Sequence, residues 1–279
     1  MSLYPRNLLL RIAVVAAAVA AAPAHADDEV LEGYSPWTID HGELECRLKR
    51  VFGEGDDFVQ LAIMRASTSQ RVTFELLSDR ISRRRPSVRA TIILLPQEIE
   101  FTRPTSIETL QDRDARLMNL YGITLEDLAQ FRENQIIAVR PRHGREFRLR
   151  LDGFEQALRE LDQCNDELLA GWGVDVAYLH TLSVWPQPRN DAVAWVTYND
   201  YPREARRNHV VGTTYFSLAV DAEGNVEDCT IVVSSGSELL DGTTCRLLSE
   251  RARFMPARDA EGNPVAAPWV SQVRYSIPD

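Results

Sequence analysis

Residues 1–26 limit which part of the chain can take part in a folded core. Arg6 and Arg11 precede the apolar run 12–22, and small residues follow that run. A basic start, a short apolar stretch and a small-x-small end are typical of a secretory signal peptide. The apolar run is also shorter than the roughly 20 residues of a membrane-spanning helix. The sequence therefore predicts that this segment is a signal peptide.

The predicted cleavage site lies between Ala26 and Asp27, and cleavage there predicts an exported protein. The alternative is a retained leader that anchors the chain in the inner membrane. Leu8–Leu10 would extend the apolar run in that case, whereas Arg11 within the extended run opposes insertion. We expect contact with a membrane only if the leader is retained.

The charge balance narrows the class of partner. Removal of the leader takes away Arg6 and Arg11 and no acidic residue, which leaves 29 basic against 41 acidic side chains. A chain this acidic is repelled by nucleic acid and by anionic lipid surfaces. We therefore expect neither as a partner.

Four cysteines are expected to form two disulfide bonds, because an exported chain meets an oxidising compartment. Four cysteines allow three pairings, and sequence position favours Cys46 with Cys164 and Cys229 with Cys245. A zinc site is the alternative, but no C-x-x-C spacing and no paired histidines accompany these residues. We expect no metal and no cofactor.

Residues 27–173 are predicted to form a mainly β domain with one or two helices. Segments rich in β-branched residues alternate along most of it, and a hairpin is expected where 46–52 and 58–63 flank a glycine-bearing turn. Thr124 and Asp127 have the spacing of a capping box before a helix.

A longer helix is predicted to follow Asp152, its expected cap, and to end near 171–173. Its apolar residues recur at spacings of three and four, which predicts one buried face. That face consists of Phe154, Leu158, Leu161, Cys164 and Leu168.

Residues 174–198 contain Trp-Pro-Gln-Pro and Arg-Asn-Asp and are predicted to be a linker. The chain beyond them reads as helix, strand, strand, helix and strand. Strand 212–220 has apolar residues on one side, and Ser237 is the expected cap of the next helix. This order predicts a small antiparallel sheet with its helices on one face, so the whole chain is expected to be an α+β protein.

The C-terminal third resembles the TonB C-terminal domain family over residues 199–279. The resemblance depends on the order and spacing of turn and helix residues rather than on one motif. These residues are Tyr201-Pro202, Ala205, Gly212, Val220-Asp221, Gly224, Val226, Ser235-Gly236, Leu240-Asp241, Phe254, Pro256-Ala257 and Gly262.

The resemblance implies a three-stranded antiparallel sheet and a location in the periplasm of a Gram-negative type of envelope. It also implies a partner in that envelope, such as a TonB-dependent outer-membrane transporter. In that family a short extended segment of the transporter adds a strand to the exposed sheet edge, and the implied role is in transmembrane transport. The expected binding edge is the last strand, which comprises Trp269, Val270, Ser271, Gln272, Val273, Arg274, Tyr275, Ser276 and Ile277. Self-pairing of that edge would give a homodimer.

The chain departs from the family pattern in several ways. A leader that is predicted to be cleaved stands in place of the family's membrane anchor, and a folded N-terminal domain stands in place of the long proline-rich spacer. Ala252 stands where many members have tryptophan, and the pair of cysteines is not a general feature of the family. Binding of an envelope protein is therefore the first hypothesis. A membrane-anchored energy transducer with a retained leader is the second, and a cell-wall glycan binder that uses the N-terminal domain is the third.

An enzyme is not expected. The sequence contains no H-E-x-x-H, G-x-S-x-G or P-loop motif. Ser234–Ser237 forms a strand-to-helix turn with no identifiable base partner, and 240–244 departs from the Asp-Thr/Ser-Gly order of aspartic proteases. The histidines are scattered: His25, His41, His143, His180 and His209. We expect no catalytic residues.

Overall fold

The computed structural model describes residues 29–42, 44–55, 58–65, 71–81, 88–110, 115–131 and 135–277. The predicted signal peptide and its cleavage site at Ala26 and Asp27 lie outside the described residues. Within those ranges no helix is both long and apolar enough to cross a membrane.

Strands form most of the regular structure. They are β1 (Val30–Leu31), β2 (Thr38–His41), β3 (Cys46–Phe52), β4 (Val59–Arg65), β5 (Arg71–Ser78), β6 (Arg89–Leu95), β7 (Ile99–Thr109), β8 (Arg116–Thr124), β9 (Gln135–Pro141), β10 (Phe147–Leu151), β11 (Gln187–Pro188), β12 (Gly212–Val220), β13 (Val226–Val233), β14 (Phe254–Met255), β15 (Ala257–Arg258), β16 (Pro264–Val265) and β17 (Ala267–Tyr275). The α-helices are α1 (Leu125–Leu128), α2 (Phe154–Gly171), α3 (Val176–Leu179), α4 (Arg203–Arg207) and α5 (Glu238–Arg251). The expected α+β class is confirmed.

The N-terminal part is built on one large sheet in the order β1-β10-β9-β6-β7-β8-β5-β4-β3-β2. Neighbouring strands are antiparallel except β1 and β10, which are parallel. The chain between β1 and β2 also pairs with β3, near the opposite end of this strand order. Gly33 bridges Phe52, and Tyr34 N donates to Val51 O at 2.9 Å. The sheet therefore closes on itself at this end.

Helix α2 packs against the large sheet through its apolar face. Phe154, Leu161 and Cys164 are buried as predicted, whereas Leu158 and Leu168 are half-buried. Leu169 is buried in place of Leu168 because the helix turns this position toward a second apolar cluster.

The predicted cap of α2 is wrong. Gly153 occupies the N-cap position with a left-handed φ of 69°, and no side chain caps the helix. The carbonyl oxygen of Asp152 instead accepts hydrogen bonds from Trp37 Nε1 at 2.8 Å and from Arg50 Nη1 at 2.6 Å. Asp152 therefore joins the start of α2 to the β1–β3 region. The predicted capping box at Thr124 and Asp127 is present in full.

Two disulfide bonds connect helices to strands, in the pairs that sequence position favours. Cys46–Cys164 joins β3 to α2, with the Cα atoms 6.1 Å apart. Cys229–Cys245 joins β13 to α5, with the Cα atoms 5.5 Å apart. Each bond therefore fixes the main helix of its half of the chain to the sheet beneath it.

The C-terminal part contains the expected three-stranded antiparallel sheet, in the order β13-β12-β17. Phe216, Leu218 and Val220 are buried on the face that α5 covers. Ser237 stands at the N-cap position of α5, but its side chain makes no capping hydrogen bond. Asp241, in the first turn, ties this end of the helix to the preceding turn instead.

The second face of this small sheet is covered as well, which corrects the expectation that helices lie on one face only. Val270 of β17 packs against Leu169 at the end of α2, Leu179 at the end of α3 and Val174 between the two helices. The rings of Trp172 and Tyr215 also lie 6.0 Å apart between centroids. The small sheet therefore lies between α5 and the N-terminal part.

Residues 174–198 pack on the C-terminal part rather than extending as a linker. Val184 bridges Arg258 through main-chain hydrogen bonds, and β11 pairs with β14. Trp195, only 2% exposed, belongs to the core beneath α5. The segment runs alongside residues 254–258, which come directly after α5, and it forms part of the same folded unit.

Candidate functional site at the outer edge of the last strand

Strand β17 forms one edge of the small sheet. It pairs with β12 over its whole length, from Tyr275 opposite Gly212 to Ala267 opposite Val220. Among the described residues, no main-chain pairing joins 271–275 to any strand other than β12. A sheet edge of this kind presents main-chain donors and acceptors that can pair with another strand.

The side chains of β17 point alternately to the two faces of the sheet. Trp269 lies opposite Leu218 and Val273 lies opposite buried Thr214, so both face α5. Gln272 and Arg274 point to the other side and are exposed.

The predicted binding edge Trp269–Ile277 needs two corrections. The strand ends at Tyr275, so Ser276 and Ile277 lie beyond it. Ile277 packs beside Tyr201 and Tyr275 instead of continuing the ladder. The side chain of Val270 is buried against the N-terminal part. The edge that remains for a partner is centred on 271–275.

A groove of about 330 Å³ runs beside this edge on the α5 face. One of its walls is the segment 192–196, which lies within the predicted linker, and the other is β17. Its lining residues are Ala192, Val193, Trp195, Val196, Phe216, Leu248, Trp269, Ser271, Gln272, Val273 and Arg274. Val193 at the rim is 82% exposed. The groove thus offers apolar surface next to an open strand edge.

Trp195, the buried residue of the 192–196 wall, is held by ring contacts and hydrogen bonds. Its ring centroid lies 5.6 Å from that of Trp269 and 5.3 Å from that of Phe254. Its indole Nε1 donates to Asn190 Oδ1 at 2.8 Å. Arg251 Nη1 donates to the carbonyl oxygen of Trp195 at 3.0 Å. The wall is therefore preformed and rigidly attached to α5.

The same arginine fixes the turn that follows the wall. Arg251 donates from Nη1 and Nη2 to both carboxylate oxygens of Asp200, each at 2.8 Å. These hydrogen bonds, with further ones from Thr197, lower the pKa of Asp200 well below its usual range. A bidentate pair of this kind fixes orientation as well as charge.

The far end of β17 is held by a buried tyrosine. The hydroxyl of Tyr275 lies 2.9 Å from Thr244 Oγ1 of α5, and its ring lies 5.3 Å from that of Tyr201. Burial raises the pKa of Tyr275. The tyrosine therefore stays neutral and holds the strand against the helix.

Asp241 fixes the first turn of α5 through hydrogen bonds to the preceding turn and to β12. It accepts hydrogen bonds from Ser234 Oγ at 2.5 Å, Thr214 Oγ1 at 2.7 Å and the backbone N–H of Ser235 at 3.0 Å. Burial alone would raise its pKa, but these donors outweigh burial and the pKa is lowered. The arrangement is structural, and it sets the position of α5 under the groove.

None of the four disulfide cysteines lines this groove, and each bond joins a helix to a strand within its own half of the chain. In the part of the chain that the structure describes, no three His, Cys, Asp or Glu residues are grouped so as to hold a metal ion. The groove and the edge together can bind a main chain and its apolar side chains.

Comparison with known proteins agrees with this geometry. Residues 197–277 match the family model described as Gram-negative bacterial TonB protein C-terminal. No curated protein and no solved structure matches the chain. The matched range starts within the capping turn of Thr197 and ends after β17, so it contains the whole small sheet and α5 but not Trp195. The C-terminal third of this chain therefore matches the TonB C-terminal domain family, which indicates a protein of the Gram-negative envelope.

Proposed function

We propose that this chain is a non-enzymatic periplasmic protein that binds an extended segment of an envelope partner by adding it as a strand to β17. The partner is a protein such as a TonB-dependent outer-membrane transporter. The single observation that carries the proposal is the outer edge at 271–275, which no strand in the described part of the chain covers, beside a preformed apolar groove. Main-chain hydrogen bonds would supply affinity, and side chains that enter the groove would supply selectivity.

The register predicts what such a partner looks like. Residues opposite Ser271 and Val273 would point into the groove, and their neighbours would point to the face of Gln272 and Arg274. An extended partner with apolar side chains at every second position fits this arrangement. An acidic residue opposite Arg274 would add a charge pair at the rim.

The test uses the full mature chain and synthetic peptides from periplasm-facing segments of outer-membrane transporters. Each peptide nitrogen is methylated in turn, and affinity is measured by isothermal titration calorimetry. An added antiparallel strand exchanges main-chain bonds with its neighbour at alternate residues. Methylation at every second position should therefore abolish binding, and methylation between those positions should have little effect.

The matched control compares the two edges of the small sheet. Val273→Lys places a charge in the groove beside β17, whereas Ile231→Lys makes the same change on β13, the opposite edge strand. We expect loss of peptide binding only with the first variant. Binding that is insensitive to Val273→Lys, or to peptide methylation at every position, would disprove strand addition. A concentration-dependent dimer that peptides do not dissociate would favour self-pairing of the edge.

The proposed location has its own test. Non-reducing intact mass after envelope fractionation should show a soluble periplasmic chain that begins at Asp27, with all four cysteines inaccessible to alkylation. A full-length chain in the inner membrane would overturn the periplasmic assignment and support an anchored transducer.

A further inference from the structure

A second cavity, of about 360 Å³, lies where the N-terminal sheet meets the segment that leads to the C-terminal domain. Its volume falls within the range of small-molecule sites, which occur preferentially at domain junctions. The cavity lies apart from the β17 edge and shares no lining residue with the groove there. We name it the junction pocket.

The junction pocket has an apolar interior. Its aliphatic lining comes from β5, from the α1 region and from α2: Val72, Leu125, Leu128, Ala129, Leu158 and Leu161. Protein interiors are normally packed without voids of this size. Aliphatic side chains around an open space therefore favour a bound apolar group.

Polar and charged side chains also line the pocket. Asp162 and Asp166 lie one turn apart on α2 and line the pocket together with Arg65, His180 and Trp185. His180 Nε2 lies 3.0 Å from Asp166 Oδ2. Arg65 forms an ion pair with Asp162, and its Cζ lies 5.8 Å from the ring centroid of Trp185. An indole and charged groups thus surround the opening.

The accessible charge at the rim is negative. The Arg65 side chain is only 9% exposed and is enclosed between Asp162 and Trp185, whereas the Asp162 side chain is 56% exposed. The Asp166 side chain is 30% exposed. An incoming ligand therefore reaches carboxylates more readily than the guanidinium, and the net charge of −10 also attracts cations.

We propose that the junction pocket binds a small amphiphile with an apolar body and one cationic group. The apolar body lies against the aliphatic lining, and the ammonium or guanidinium group pairs with Asp162 and Asp166. Trp185 forms one side of the opening. This site is independent of the strand-addition function.

The experiment titrates the ¹⁵N-labelled mature chain with n-hexylammonium, hexanoate and 1-hexanol, which share an alkyl body and differ in charge. Chemical shifts of the Trp185 indole N–H, assigned with Trp185→Phe, and of the amides 125–129 report occupancy. We expect n-hexylammonium to bind more tightly than the other two probes. Hexanoate binding as tightly as n-hexylammonium, or no probe shifting these signals, would overturn the proposal.

Variants test the two parts of the site separately. Asp166→Asn should weaken n-hexylammonium by about tenfold or more, the size of a lost charge-assisted hydrogen bond, and leave 1-hexanol unchanged. Glu160→Gln and Glu167→Gln remove the same charge from the side of α2 that lines a different cleft, and should change neither. Ala129→Trp at the exposed mouth should block every probe.

Asp162→Asn could disturb folding, because it leaves Arg65 without its ion pair. For this reason Asp166→Asn and Ala129→Trp are the deciding variants, each with an unchanged melting temperature as the folding check. Equal loss of n-hexylammonium and 1-hexanol in Asp166→Asn, or unchanged binding in Ala129→Trp, would contradict the assigned pose.

Discussion

Trp195 provides the sharpest test of where the C-terminal domain begins. It precedes the family-matched range 197–277 and lies within the segment predicted as a linker, yet it is 2% exposed and packs on Phe254 and Trp269. If the segment is part of the folded domain, Trp195→Ala must destabilise that domain as a core substitution does. A tryptophan in a linker would have almost no effect.

The expected loss of unfolding free energy in Trp195→Ala can be worked out from the surface that the side chain buries. A tryptophan buries up to about 250 Å², and about 25 cal/mol per Å² gives roughly 6 kcal/mol as an upper limit. The retained methyl group and partial relaxation reduce this to about 3–5 kcal/mol, the usual range for Trp→Ala in a core. The hydrogen bond from Trp195 Nε1 is lost as well, although Asn190 Oδ1 keeps its bond from the backbone N–H of Arg253 at 3.2 Å.

Hydrogen–deuterium exchange resolved by peptide is the suitable assay, because it reports the stability of each part separately. Exchange of β12 amides through unfolding of the C-terminal part should accelerate by about 10² to nearly 10⁴ in Trp195→Ala. Amides of β9 should be unaffected.

The control is Val193→Ala, two residues away on the exposed rim, which should change stability by no more than about 0.5 kcal/mol. Trp195→Phe should give a smaller loss than Trp195→Ala because it keeps most of the ring packing. A loss below about 1 kcal/mol in Trp195→Ala would refute the assignment of this segment to the domain core.

Other perturbations address the remaining supports of the fold. Replacement of Cys229 and Cys245 by alanine opens a loop with a sequence separation of 16 and should cost about 3 kcal/mol in denaturant unfolding. Asp241→Ala should cost about 3 kcal/mol at pH 7 by removing hydrogen bonds to a charged group. Because the pKa of Asp241 is lowered in the folded state, its contribution to stability is present above about pH 4 and is lost as pH falls through the folded pKa. Burial raises the pKa of Glu75 despite nearby Arg47. The contribution of Glu75 is therefore present below about pH 4, where its carboxyl is protonated, and is lost as pH rises through the folded pKa. Because glutamine is neutral at every pH, Glu75→Gln should raise the melting temperature at pH 7 but not at pH 4.

One control variant serves the pH-dependent predictions, and each prediction has an outcome that would contradict it. Glu223→Gln, on the exposed turn after β12, should leave the pH profile unchanged. A cost of Asp241→Ala that stays constant down to pH 3 would contradict the linkage argument. A melting temperature for Glu75→Gln that is no higher than that of the unmodified chain at pH 7 would show that burial does not dominate at this carboxyl. Cysteine variants as stable as the parent would exclude a role for that disulfide in stability.

Much of the fold could be predicted from local sequence patterns. Alternation of Phe216, Leu218 and Val220 identified the buried face of β12 because a strand repeats every two residues. The spacing of Thr124 and Asp127 identified a capping box, since both of its hydrogen bonds lie within four residues. Family spacing located the small sheet and α5, because each turn of that domain carries its own glycine or proline.

Features that depend on contacts between residues far apart in the sequence could not be predicted in this way. Residues 174–198 have the composition of a loop, and their partners at 251–259 lie more than fifty residues further along the chain. The groove wall at Val193 and Trp195 was missed for this reason. A tryptophan next to valines in a supposed linker was the one signal that could have pointed to it. The cap of α2 was misassigned because the carbonyl of Asp152 binds Trp37 and Arg50, more than a hundred residues away.

The closure of the large sheet limits how early the sheet can be completed as the chain is made. Val30 of β1 pairs with Arg148 of β10, so the first described strand has no partner until 118 further residues have been made. At about 5–20 residues per second this takes roughly 6–24 s. The β1 segment therefore remains without its native partner until nearly all of the N-terminal half has been synthesised.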